Sequence, residues 1–284
     1  MVDFVLLLAN VSVLVFVVTS MLGMGTSLTI QQILTPLSNK RLMIMALVAN
    51  FILVPLLAFI IIQVIPMAEA YQIGLVLLAT AAGAPFLPKL VQVAKGDAAF
   101  SVGLMVLLMV VTVVYVPVVL PLLMSGVEVN AWEIAKSLII MMLVPLGIGL
   151  VIKARYAEIA TMLQPIMNQA SSFALILMSV LMLLLNLEAV LGTLGTGAIL
   201  ALILFIGGSF AIGYVMGGGI DTKPVMALGT GQRNIAAALV VGAQNFGDPD
   251  VIVMLMVGAI LGLIVLMVAA GELGRQSGIG QKAA

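Results

Sequence analysis

Two basic side chains lie inside apolar runs, where a chain in lipid would not carry them without use. Arg233 sits in the middle of ALGTGQRNIAAALVVGAQN (227–245), and Lys89 ends AAGAPFLPK (81–89). An ionisable group at mid-bilayer costs at least ~2.5–3.5 kcal/mol, so such residues mark candidate sites. A guanidinium offers a planar fork of donors and an ammonium a point charge, and both suit an anion. Around Arg233 stand Thr230, Gly231, Gln232 and Asn234, which add a hydroxyl, an open backbone and two amides. The chemistry this set supports is recognition of an anion, with Arg233, Lys89, Gln232, Asn234, Thr230 and Gly231 as candidate substrate contacts. The acidic residues fall in loops or near segment ends, so neither cation has a carboxylate partner within an apolar run. A bound anion is then the simplest compensating group.

Other chemistry is excluded by composition. Cysteine and histidine are absent from the 284 residues. Disulfides, Cys/His metal centres and Ser-His-Asp catalysis go with them, and no enzyme is expected. No basic tail or patch suits a nucleic acid. With 64% hydrophobic and 8% charged residues and a mean hydropathy of +1.35, the solvent of this chain is largely lipid.

The elements that must position these residues are membrane helices. A crossing takes ~20 apolar residues. Nine segments meet this, at roughly 4–27, 42–65, 72–94, 98–124, 132–152, 163–187, 196–216, 224–246 and 250–271. The fold class is all-α and polytopic. The start, MVDFVLLLANVSVLVFVV, reads as a first spanning helix and not as a cleaved leader. Basic residues occupy every second connection: Lys40 and Arg41, Lys95, Lys153 and Arg155, Lys223, then Arg275 and Lys282. Glu69, Glu128, Glu133, Glu188, Asp248 and Asp250 occupy the others. The positive-inside rule then places the N-terminus outside and the C-terminus in the cytoplasm of a multi-pass plasma (inner) membrane protein. Trp132 and Tyr71 fall at outer ends, where interfacial aromatics belong. Lys136, one helical step from Glu133, reads as an interfacial lysine that snorkels or pairs locally.

Two segments are interrupted. Gly83, Pro85 and Pro88 break the third, because proline removes an amide donor and disfavours helical geometry in the residue before it. A stop near Gly83 and a restart near Pro88 are expected. Gly229 and Gly231 are expected to unwind the eighth over 229–234. Each cation then falls near the start of a restarted half-helix, a positive dipole end. Irregular backbone in lipid persists only where protein or a wet cavity covers it, and paired discontinuous helices point to a secondary-transporter site.

The pieces MLGMGTSLTIQQI, ANFILVPLLAF, AKGDAAFSVGLM and GTGQRNIAAALVVG occur in order and at similar spacing to those of the bile acid:sodium symporter family, which the chain resembles over nearly its whole length. The resemblance implies an inverted repeat with two discontinuous crossing helices. A panel would form from segments 4–27, 132–152 and 163–187, and a core from 42–65, 72–94, 98–124, 196–216, 224–246 and 250–271. Substrate would lie between them, and alternating access would come from rocking of panel against core. The substrate implied is a small or medium organic anion, whether bile-acid-like, a keto acid or pantoate-like.

Sodium is the coupling ion the resemblance implies, but the ligand set that matches it is incomplete. The family's Ser-Asn pair falls on Leu87-Pro88, and its broken-helix glutamate falls at about Ala227 or Leu228. Asn50, Ser101 and Gln232 remain as ion-site candidates, with Met105 where a further hydroxyl is expected and no firm metal site. Lys89 and Arg233 either replace sodium or contact the substrate, and both readings are open. Alternatives are a sodium symporter with altered ligands, or a channel or sensor on the same fold. A metalloid exporter would need a membrane cysteine, and an intramembrane hydrolase paired acids, a His or a Cys.

Overall fold

Backbone polar groups have no water to turn to inside a bilayer, so an apolar chain satisfies them within helices. The computed structural model describes residues 2–34, 38–123, 130–185, 193 and 195–280, and helix is the regular structure in them. Glu128, Glu188 and Lys282, three of the charges used above for orientation, lie outside the described residues. In chain order the helices are α1 (Val2–Ser27), α2 (Ile30–Leu34), α3 (Lys40–Val64), α4 (Glu69–Thr80), α5 (Leu87–Val93) and α6 (Ala98–Leu123). They continue as α7 (Ala131–Arg155), α8 (Ala157–Leu185), α9 (Ala198–Met216), α10 (Thr222–Gly231), α11 (Ile235–Asn245) and α12 (Pro249–Gly280).

Among the described residues, α3, α6, α7, α9 and the Pro249–Gln276 part of α12 are each long and apolar enough to cross a bilayer. The pairs α4/α5 and α10/α11 fall on the two segments expected to be interrupted. Their members are too short to cross singly: α4 has 12 residues and α10 has 10, against the ~20 a crossing needs.

The core is apolar, but, unlike that of a water-soluble protein, the surface is apolar too. On α6, Val110, Val114, Val118 and Leu122 recur every fourth residue as an exposed stripe, while Ser101 and Thr112 are buried. Lipid is as apolar as a core, so aliphatic side chains face outward without cost and polar groups turn inward to find partners. Trp132 is exposed at the start of α7, as an interfacial residue should be. Tyr71 departs from expectation: it is buried, because α12 packs along α4 and covers it.

Prolines shape two of the long helices. A wide π turn, Ala49–Leu53, precedes Pro55 in α3, and another, Ile139–Leu143, precedes Pro145 in α7. Pro55 has no amide to give the Phe51 carbonyl, and the Tyr115 hydroxyl donates to it instead at 2.7 Å.

Helix α1 packs along α7 and α8. The α1–α7 contact is backbone on backbone at Gly25 and Gly149: a Cβ on Gly149 would lie 2.7 Å from the Leu22 carbonyl oxygen and 2.8 Å from Gly25 Cα. The interrupted pairs pack among α3, α6, α9 and α12, and α11 meets α1 and α7.

Candidate functional site

The first interruption begins earlier than its prolines. Helix α4 ends at Thr80, whose hydroxyl donates back to the Val76 and Leu77 carbonyls at 2.9 and 3.2 Å. The chain then runs irregularly to Leu87, where α5 starts with Pro88 in its first turn. Pro85 lies within the irregular stretch, as expected. Two contacts with α6 set this course. The Ala82 amide donates to Thr112 Oγ1 at 2.9 Å, and the Thr112 hydroxyl donates to the Ala82 carbonyl at 3.0 Å. Gly83 has φ +80°, and a Cβ there would collide with the Met109 amide and lie 2.7 Å from the Met105 carbonyl oxygen.

The second interruption is shorter than expected. Helix α10 continues through Gly231, and only Gln232–Asn234 leave the helix. Gly229 and Gly231 therefore serve packing and not unwinding. A Cβ at Gly229 would lie 3.1 Å from Leu87 and Leu104 side chains, and one at Gly231 would lie 2.9 Å from Leu266 Cδ2. Asn234 caps α11, its Oδ1 accepting from the Ala237 amide at 3.1 Å.

The two irregular stretches cross and are stitched together. The Asn234 amide donates to the Ala81 carbonyl at 2.9 Å, and Asn234 Nδ2 donates to the Gly83 carbonyl at 3.0 Å. Arg233 Nε donates to Leu78 O and Nη2 to Ala79 O, both at 2.8 Å. Arg233 Nη1 donates to Asn50 Oδ1 at 2.8 Å and to Thr230 O at 3.2 Å. Asn50, in the π turn of α3, is oriented by donating through Nδ2 to Ala46 O at 3.0 Å and to Thr230 Oγ1 at 3.2 Å.

This arrangement corrects the electrostatic expectation. Arg233 is placed in sequence just before α11, a positive dipole end. Its side chain instead turns to the C-terminal ends of α4 and α10, whose last carbonyls carry partial negative charge. Among the described residues it is the one charged side chain that is buried, at 5% exposure. Backbone oxygens and the Asn50 amide compensate it in place of a carboxylate. Asn234→Leu removes the α11 cap and leaves the Gly83 carbonyl unpaired. A loss of about 2–4 kcal/mol is expected, to be read as a lower melting temperature of the detergent-solubilised protein.

The structure does not bring every candidate to the crossing. Lys89 is exposed, its Nζ lying 5.7 Å from the Phe86 ring centroid, and it makes no contact with the Arg233 network. Ser101 is buried and its hydroxyl donates to its own helix at Ala98 O, 2.6 Å. Gln232 is adjacent to the network, and its Oε1 is buried without a hydrogen-bond partner. Two residues were missed from sequence: Thr112 and Tyr115, which hold the Ala82 and Phe51 carbonyls. The available signal was two hydroxyls in the otherwise apolar run VLLMVVTVVYVP.

Beyond the crossing, a cleft of about 230 Å³ opens between α7 and the end of α11, lined by Glu133, Lys136, Ser137, Met141 and Gln244 among others. Ser137 Oγ donates to Gln244 Oε1, and Gln244 Nε2 donates to the Met141 sulfur at 3.6 Å. Lys136 is exposed here and forms no ion pair with Glu133. A second cavity of about 120 Å³ lies between α1 and the α11–α12 join, lined by Val13, Leu239 and Phe246 among others.

An all-helical, multi-pass membrane protein with two interrupted helices bonded to each other has the kind of architecture in which secondary-transporter sites are built. The model of the Sodium Bile acid symporter family matches residues 13–193, and the chain belongs to that family. It is 26% identical over 253 residues to an Arabidopsis thaliana protein described as probable sodium/metabolite cotransporter BASS3, chloroplastic, covering 86% of this chain and 59% of the relative. It is 23% identical over 257 residues to probable sodium/metabolite cotransporter BASS1, chloroplastic, of the same plant, covering 89% and 64%. A BASS3 protein of Oryza sativa subsp. japonica is 27% identical over 195 residues, covering 68% of this chain and 46% of the relative. The chain thus spans less than two thirds of the length of each of these relatives, all of which are described as transporters rather than enzymes.

Proposed function

We propose that the protein is a secondary transporter that moves a small or medium organic anion across the plasma membrane by alternating access, with the N-terminus outside and nine crossings. In this reading α1, α7 and α8 form the panel and the remaining long helices, with the two interrupted pairs, form the core. The observation that carries it is the pair of cavities along the seam where α11 meets α7 and α1. The seam begins at a crossing of half-helices, and Lys136 and Gln244 offer donors to an anion within the larger cleft. The hydrogen bond between Ser137 and Gln244 spans this seam and must break as panel and core separate. Bile-acid-like, keto-acid and pantoate-like molecules each carry an anionic group that the Lys136 ammonium in the larger cleft can pair with.

Reconstituted into liposomes, the protein is expected to give saturable uptake of such an anion, accelerated by the same anion inside. Uptake rising linearly with concentration would instead indicate a channel. Lys136→Gln removes one charge-assisted contact of ~1.5–3 kcal/mol, so a ~10–100-fold rise in the half-saturating concentration is expected. The relatives are described as probable sodium/metabolite cotransporters, and the residues at the crossing bear directly on whether sodium is coupled in this chain.

A further inference from the structure

A coupled alkali cation needs a cage of oxygens, and in transporters with broken helices the C-terminal ends of half-helices and unwound carbonyls supply one. The crossing of this chain contains such a cage. Leu78 O and Ala79 O come from the end of α4, Thr230 O from the end of α10 and Asn50 Oδ1 from the π turn of α3. All four are neutral oxygens, contributed by three separate helices, and all four face the Arg233 guanidinium. That is the donor set a hard monovalent cation takes when no carboxylate is at hand, as in channel filters lined by carbonyls.

The cage does not fit sodium in this chain, because the guanidinium of Arg233 fills it. Its bonds to the four oxygens run from 2.8 to 3.2 Å and use Nε, Nη1 and Nη2. A sodium ion added there would share its ligands with a fixed like charge in a buried place. Among the described residues no carboxylate is buried to offset the pair. The same bonds bear on the anion: a fork already closed on four internal oxygens is not turned toward the seam, and Lys136 is.

We infer that Leu78, Ala79, Thr230 and Asn50 form a monovalent-cation cage whose occupant is the protein's own Arg233 side chain. The crossing is then assembled without an alkali ion, and the protein needs no sodium at this place to fold or to bind its anion. The transport consequence rests on the carrier reading above, whereas the cation chemistry of the cage does not.

The test uses the full-length protein in detergent, with choline chloride as the background salt. For the wild type, sodium chloride and potassium chloride titrations are expected to leave the melting temperature where choline chloride leaves it. Arg233→Ala empties the cage and is expected to melt several degrees lower. Guanidinium, at concentrations well below denaturing ones, and sodium are each expected to recover much of that loss saturably; choline, too large for the cage, is not. Adding Asn50→Leu to Arg233→Ala is expected to remove the rescue. A saturable, sodium-selective rise in the wild type overturns the inference. So does a folded Arg233→Ala protein that no small cation stabilises. If Arg233→Ala does not fold, the wild-type titration decides alone. Anion uptake by wild-type liposomes is expected to be equal in sodium and choline, and steep sodium dependence also overturns the inference. Absence of any uptake counts against the carrier reading and leaves the titrations to judge the cage.

Discussion

Arg233→Met is expected to cost about 3–5 kcal/mol, lowering both the folded yield and the melting temperature of the protein that folds. Methionine fills much of the volume but donates to nothing. Leu78 O, Ala79 O, Thr230 O and Asn50 Oδ1 would each lose a buried donor. An unpaired buried acceptor costs ~1–3 kcal/mol, so the four together set the upper bound. Relief from burying a charge offsets part of this, and removal of one side of a buried charged network typically nets ~3–5 kcal/mol. Against a total stability of ~5–15 kcal/mol that is a large share. Arg233→Lys should fall between the two, because an ammonium is a point charge and cannot span oxygens contributed by three helices. Folded yield by size exclusion and the melting temperature of whatever folds are the measurements.

Gly83→Val is expected to be nearly as damaging, by a different route. The backbone there holds φ +80°, which costs an L-residue ~1–2 kcal/mol, and a β-branched one more. The new Cβ would also meet backbone and not a side chain that can swing aside: the Met109 amide and, at 2.7 Å, the Met105 carbonyl oxygen. Helix α6 would have to retreat, adding an overpacking cost of ~1–3 kcal/mol and drawing Thr112 away from Ala82. A loss of about 3–5 kcal/mol is expected. Gly247→Ala is the control, because nothing lies within 4 Å of a Cβ there, and its melting temperature should match the wild type.

Much of this site was legible in sequence, for reasons that differ between its residues. Pro85 and Pro88 forced a break because a missing amide is a local fact, written into the residue type. Arg233 declared itself because a charge in an apolar run is costly wherever its side chain goes. The direction of that side chain was not legible: position 233 lies beside the start of α11, yet the long side chain reaches back to α4 and α10. Gly229 and Gly231 misled because glycine serves unwinding and close packing equally, and only the positions of Leu87, Leu104 and Leu266 decide between them. Lys89 shares its residue class with Arg233 and sits on the matching break, but its side chain is exposed and lies over the Phe86 ring, away from the network. Thr112 was hidden by distance, since its partner Ala82 lies 30 residues away in the chain.

The glycine contact between α1 and α7 has a mechanical consequence. At Gly25 and Gly149 no side chain lies between the two backbones to be squeezed or to change rotamer. Stiffness there is that of main chain pressed on main chain, and the two helices behave as one beam. The join between α7 and α11 is built differently, from the long, jointed side chains of Lys136, Met141 and Gln244. That join is the compliant one. A load on the molecule is therefore expected to spend its displacement between α7 and α11 before it parts α1 from α7.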